Sequence, residues 1–212
     1  MKTEAEGRRA RRYRQTARAA ATERTAQRIA EAFAACVNDR WFDDVTLDEV
    51  ARLAGVTVRT IVRRFGGKVG LAREFIHYVG PRIAGQRTAP PGDVDGAVDR
   101  ALAIYEQMGD GVIRNLAQED RQPALRFMLA RGRSGHREIT AQIFASWIEP
   151  LGGRAGRRLL DALVIATDVY AWKLLRRDMG RSRGETRATM RAMVRAILAQ
   201  AGAGRSDTVE AP

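Results

Sequence analysis

Three observations predict an all-α chain, with an N-terminal helix-turn-helix head and a larger C-terminal helical domain. Thr46 to Lys68 spells two short helices joined by a glycine turn, and the chain from about Asp93 carries only helical periodicity. A proline- and glycine-rich stretch, GQRTAPPGD at residues 85–93, separates the two. With 212 residues and 45% hydrophobic content, the chain can build a small head and a larger core. The expected spans are a basic arm at 1–21, a head at 22–84, a helical domain at 85–201 and a disordered tail at 202–212.

Residues 1–28 hold nine Lys/Arg against Glu4, Glu6 and Glu23, so half of the formal +12 charge sits there. They read as a disordered arm that lays Arg8, Arg9, Arg11 and Arg12 along phosphates or into an A·T-rich minor groove. A solubilising tail, partly helical through the alanines at 17 and 19–21, is the alternative. From Thr22 to Asp39, Ala26, Ile29, Ala30, Phe33 and Val37 recur at helical spacing and predict an amphipathic helix packed across the reading unit. Cys36 lies beside that face with no second cysteine and reads as a small buried hydrophobe. Trp41 and Phe42 are expected to plug the small core, with Asp43 and Asp44 in a loop.

Thr46 suits an N-cap, and Glu49 three residues on could return a bond to the Thr46 amide, completing a capping box. Leu47, Val50, Ala51 and Ala54 then form one apolar face, and Gly55 supplies the left-handed backbone of the turn. Thr57 caps a second helix on which Val58, Ile61 and Phe65 share one side while Arg59 and Arg63 point the other way. Two guanidiniums one turn apart can enter a major groove and fork onto guanine O6 and N7. Thr60 and Arg64 flank them as phosphate ligands, and Thr46, Thr57 and Val58 complete the surface expected against DNA. The bland alternative is an ordinary solvated helix in an arginine-rich protein.

Val45 to Leu71 resembles the N-terminal signature of the TetR family of one-component regulators, near T-x-x-x-I-A-x-x-A-G-V-S-x-G-T-L-Y-x-H-F-x-x-K-x-x-L. The match runs through Thr46, Val50, Ala51, Ala54, Gly55, Val56, Thr57, Thr60, Ile61, Phe65, Lys68 and Leu71, and departs at Arg59, Val62 and Arg64. Val62 stands where the family usually has a tyrosine that touches DNA, leaving a thymine-methyl contact as the most it can offer. The resemblance implies a homodimeric transcriptional repressor on double-stranded DNA with a palindromic operator, released or engaged by a small effector held in the second domain.

After the Gly66-Gly67 turn, Leu71, Phe75, Ile76 and Val79 predict a helix over about Lys68–Val79, with Lys68 placed to bind a phosphate beside free helix amides. GGKVG lacks the spacing of a P-loop, and Gly80-Pro81 is expected to stop the helix. In the resembling family this helix joins the two domains, which implies a signal path through residues 68–84.

The second domain predicts a helix near Val94–Met108, interrupted at Gly109 and Gly111, and a shorter one near Val112–Glu119. Another opens at Pro123, with a break at Gly132 and Gly135 before a helix near His136–Trp147. Tyr105, Met108, Phe127, Met128, Phe144, Trp147 and Tyr170 are candidates to line a cavity for an unknown small apolar or aromatic effector, the usual site in the resembling family; the alternative is plain core. Arg131 and His136 could orient such a ligand, or take a surface or helix-end role.

Residues 157–179 and 182–201 are the two most continuous helical stretches, the second opened by a possible capping box of Ser182 and Glu185. Arg187, Arg191 and Arg195 form one charged stripe, which leaves apolar surface around most of the remaining circumference. Leu174, Leu175, Met190, Met193, Val194 and Ile197 are the expected dimer contacts, and Ala188, Ala192 and Ala196 would let helices approach closely. In the resembling family this helix pair builds the dimer's four-helix bundle, which would present two reading helices about 34–36 Å apart or a multiple of it.

A net charge of +12 and a pI near 11.1 suggest a polyanionic partner, nucleic acid before membrane surface. One cysteine excludes an internal disulfide. No signal peptide and no apolar run of about 18 residues is present, so a cytoplasmic protein with no membrane partner is expected. There is no HExxH, GxSxG or paired CxxC, and only His77 and His136 could act as bases, so no enzyme, cofactor or metal is expected. Two competing readings are a sequence-independent nucleic-acid binder, and a small-molecule-binding protein or enzyme with an incidental basic head.

Overall fold

A computed structural model describes the backbone of residues 2–206 and the side chains of residues 16–202. Every regular element among the described residues is helical, and the chain divides into two compact units, Met1–Gly80 and Pro81–Pro212. In the first unit α1 spans Lys2–Asp39, a 3-10 turn follows at Phe42–Asp44, and α2 (Leu47–Ala54) and α3 (Val58–Phe65) precede α4, which runs Lys68–Arg87 and ends in the second unit. The expected arm is thus helical backbone continuous with α1, as a run rich in alanine and arginine, both strong helix formers, favours. The side chains of Arg8, Arg9, Arg11 and Arg12 lie outside the described residues.

The core of this unit collects Ile29 and Phe33 of α1, Val50 of α2, Ile61 of α3 and Leu71 of α4, none more than 0% exposed. Burying each such side chain contributes roughly 1.5–3 kcal/mol. Phe33 packs edge-on to Phe42 at 6.3 Å and to Phe75 at 5.7 Å. Phe42 plugs the core as expected, whereas its neighbour Trp41 is 46% exposed. Trp41 is the extended residue that leads into the 3-10 turn, and Phe42, the turn's first residue, is the one that faces inward. Cys36 is buried, and that burial pushes its thiol above the ordinary range.

The second unit contains the rest of α4, then α5 (Val94–Leu116), α6 (Pro123–Ile143), α7 (Ala145–Ile148), a 3-10 turn at Glu149–Leu151, α8 (Gly153–Ala166), α9 (Val169–Lys173), a π turn at Leu174–Asp178 and α10 (Arg183–Ser206). Three expected breaks are absent. Helix α4 continues through Pro81, so residues up to Arg87 of the expected linker are helical. Proline removes one helical bond, yet Thr88 still closes the end on the Ala84 carbonyl at 2.9 Å. Helix α5 passes unbroken through Gly109 and Gly111, and α6 through Gly132 and Gly135. Gly109 serves contact rather than a turn: a Cβ there would lie 2.6 Å from Trp172 Cη2.

A break does occur where none was expected, at Thr167-Asp168 inside the 157–179 stretch. Thr167 turns its hydroxyl back to the Leu163 carbonyl at 2.8 Å, and Asp168 caps α9 by accepting the Tyr170 amide at 2.9 Å. The Ser182–Glu185 capping box forms in both directions, at 2.8 and 3.2 Å. Helix α10 extends to Ser206, past the expected end at 201, and residues 207–212 of the expected disordered tail lie outside the described residues.

Candidate nucleic-acid interface

Helices α2 and α3 are set by their caps. Thr46 Oγ1 accepts the Glu49 amide at 3.2 Å, and Thr57 Oγ1 accepts the Thr60 amide at 3.3 Å. Gly55 at φ 64° and Gly66 at φ 74° close the two helices in the left-handed region that side chains with a Cβ avoid. The reciprocal half of the first capping box does not form among the described residues; the Glu49 carboxylate pairs instead with Arg40, the residue just after α1, at 3.1 Å. That pair ties α2 to the end of the segment leaving α1, so α2 is held by a side-chain pair as well as by its apolar face.

On α3, Ile61 and Phe65 are buried and Val58 is half-buried, while Arg59, Val62 and Arg63 are exposed. Among the described residues neither Arg59 nor Arg63 makes a hydrogen bond or ion pair, and both guanidiniums keep their full donor set for an outside partner. Val62 is 46% exposed beside them. Thr46, Thr57 and Thr60 are occupied in capping; Thr57 and Thr60 also share a hydroxyl contact at 3.1 Å.

Two expected phosphate ligands are engaged within the unit instead. Arg64 donates to Glu23 of α1 and to Tyr78 of α4, both at 3.1 Å, and so braces α3 from two sides. Lys68 donates to the Asp43 carbonyl at 3.2 Å and sits 4.5 Å from the Phe42 ring centroid, and burial lowers its pKa against the opposing pull of Asp43 and Asp44. A cation paired within the fold gives up less to a phosphate, because the existing bonds must first break. Glu23 and Tyr78, which seat Arg64, were invisible to sequence reading; they are 41 and 14 residues away from it.

The seven expected effector residues do not converge. Tyr105 and Met108 pack with Trp172 in one cluster of the second unit, Phe144 and Trp147 in another, and Phe127 and Tyr170 are 48% and 57% exposed. Met128 is buried. Around Tyr105 lies a polar cluster: Arg87 donates to the Tyr105 hydroxyl and to the Thr167 carbonyl at 3.4 Å, and Tyr105 donates to the same carbonyl at 3.1 Å. His136 joins it through the Val164 carbonyl at 3.1 Å, and its pKa is pushed down to about 4, first by burial and then by Arg87. Glu106 takes a bond from Trp172 at 2.8 Å and is clasped by Arg176 at 2.7 and 3.0 Å; the Arg176 bonds lead in lowering its pKa to about 2.

The expected dimer contacts also divide. Met190 and Val194 are fully buried and Leu175 is buried, all in the chain's own core, while Met193 and Ile197 are half-buried against it. Leu174 is 48% exposed. Ala188, Ala192 and Ala196 are exposed, as are Ile165 and Met179 at 69% and 52%. The arginine stripe is partly pinned: Arg191 reaches Asp99 and Arg195 reaches Asp95, each at 2.7 Å.

Two capped helices about a left-handed glycine, the second with free guanidiniums on its outer face, make the first unit a helix-turn-helix of the DNA-binding kind. Residues 27–75 match the profile of bacterial regulatory proteins, tetR family, so the first unit carries a DNA-binding domain of that kind. The fold extends beyond the head. A protein from Mesorhizobium loti MAFF303099, assigned to the TetR-family transcriptional regulators, superposes with a TM-score of 0.62 at 20% identity, over 84% of this chain and 96% of that one. A protein from Pseudomonas aeruginosa PAO1, assigned as a transcriptional regulator, gives 0.61 at 15% identity, over 84% and 91%. A Rhodococcus sp. protein assigned to the TetR family gives 0.61 at 17% identity, over 82% and 99%. No curated protein matches the sequence. Among the described residues no helix is long and apolar enough to cross a membrane, and no group of three or more metal-ligating side chains occurs.

Proposed function

We propose that the chain is a repressor that binds a palindromic operator as a homodimer and responds to a small apolar or aromatic ligand taken up by its second unit. The observation that carries this reading is the outward pair Arg59 and Arg63, left without internal partners on a helix whose other side is locked by Ile61, Phe65 and the Arg64 brace. A guanidinium with no internal acceptor gains most from a guanine edge, and one reading helix per subunit calls for a two-fold pair on two half-sites. The surface we assign to dimerisation is the exposed alanine row of α10 at Ala188, Ala192 and Ala196, with Ile165 and Leu174, since small side chains permit close helix approach.

For regulation, the ligand need only prefer the form that does not fit the operator; a coupling of about 1–3 kcal/mol changes affinity roughly 5- to 150-fold. Selection of duplexes from a random library tests the reading. Enrichment of one inverted repeat, bound by two chains, supports it; binding of all duplexes alike, with affinity set by salt alone, would make the chain a non-specific basic binder.

A further inference from the structure

We infer that α3 reads, in each half-site, two guanines about two base-pair steps apart and a thymine whose methyl group packs on Val62; this rests on the operator-binding reading above. Arg59, Val62 and Arg63 share one strip of the helix surface, at spacings of three and four residues. Arg64 is withdrawn from that strip by Glu23 and Tyr78. Arg59 and Arg63 are about 6 Å apart along the axis at about 1.5 Å per residue, close to two base steps of about 3.4 Å. Each forks most favourably onto the O6 and N7 of a guanine.

Val62 determines the third position by what it lacks. It is an apolar side chain, 46% exposed, one residue from Arg63 and three from Arg59 in a strip that otherwise offers only donors. The apolar group that a major-groove edge presents is the thymine C5 methyl. A cytosine amino group facing Val62 would instead lose water without gaining an acceptor, which is unfavourable. Val62 is therefore a specificity-determining residue that selects thymine by burying its methyl.

The test uses the full chain and a duplex selected from a random library. Each thymine of the half-site is replaced singly by uracil, which removes the methyl and leaves pairing unchanged. One position should lose about fourfold in affinity, the value of roughly one methyl group returned to water. Val62→Ser should bind the thymine and uracil duplexes equally, while Val62→Thr, which retains a methyl, should keep the discrimination. Arg59→Ala and Arg63→Ala should each relax selection at one guanine, at positions two steps apart. Failure to enrich any sequence overturns the operator reading together with this proposal. Enrichment with no methyl-sensitive position, or a uracil penalty unchanged in Val62→Ser, overturns the proposal alone.

Discussion

The seat of α3 depends on a backbone approach that admits no side chain at position 70. A Cβ built on Gly70 would lie 2.9 Å from the carbonyl carbon of Phe65 and closer still to its oxygen. Both atoms are main chain at the end of α3, so no rotamer change relieves the overlap, and the turn through Gly66 and Gly67 (φ 74° and 113°) would have to open by about an ångström. Overpacking of this kind costs about 1–3 kcal/mol, and backbone against backbone belongs at the upper end. Alanine returns about 1 kcal/mol of helix propensity. Gly70→Ala is therefore expected to destabilise the first unit by about 2 kcal/mol, or roughly 8–16 °C in the midpoint of a domain this size. Gly85→Ala, in the same helix with nothing within 4 Å of its Cβ, is the control and should be neutral or stabilising. The assay is thermal unfolding by circular dichroism, with DNA affinity measured below both transitions. A Gly70→Ala protein as stable as Gly85→Ala would refute the packing assigned to this turn.

Arg64→Ala should lower thermal stability slightly, by at most about 1 kcal/mol for a half-exposed ion pair, and leave the salt dependence of DNA affinity unchanged. A slope shallower by about 1 would instead restore Arg64 to the phosphate ligands. His136 is held neutral in the fold with its pKa near 4 against 6.5 when free, so the unfolded chain takes up the proton first on acidification. Its contribution is present above about pH 6.5 and lost as pH falls toward 4, by up to about 3 kcal/mol in all. Urea unfolding across that window should show a steeper acid loss for the wild type than for His136→Gln; parallel curves would contradict the buried neutral imidazole. Gly109→Ala places a methyl 2.6 and 2.9 Å from Trp172 Cη2 and Cε3. The indole is held by Glu106 and covered by Arg177 at 4.7 Å. Unfolding of the second unit should come earlier by about 1–2 kcal/mol, with a changed tryptophan spectrum; an unaltered spectrum and midpoint would show that the ring can move.

The head was legible because its determinants are local. Thr46, Gly55, Thr57 and Gly66 act within three or four residues, and Ile61 and Phe65 fall on one face by helical period alone. What escaped depends on distance along the chain. Arg64 looks like a phosphate ligand until Glu23 and Tyr78 come from two other helices to meet it, and Lys68 until the carbonyl of Asp43 does. Pro81, Gly109 and Gly132 read as breaks by propensity, yet tertiary packing overrode that weak preference and each lies inside a continuous helix. Periodicity also says that Met190 and Val194 share a face without saying what covers it, and the chain's own core does. The seven aromatic and methionine positions share only residue type, a cue that does not distinguish Tyr105 in one cluster from Phe144 in another or Tyr170 on the surface.

The outward orientation of Arg59 and Arg63 is tested most directly by their double replacement. The selected duplex, fluorescently labelled, is titrated with wild type and with the Arg59→Ala, Arg63→Ala protein in excess random competitor at fixed salt. Each lost guanine contact costs about 1–3 kcal/mol, so the double variant should bind the selected duplex no better than random DNA while folding as the wild type does. A double variant that keeps its preference for the selected sequence would show that specificity resides elsewhere on the chain.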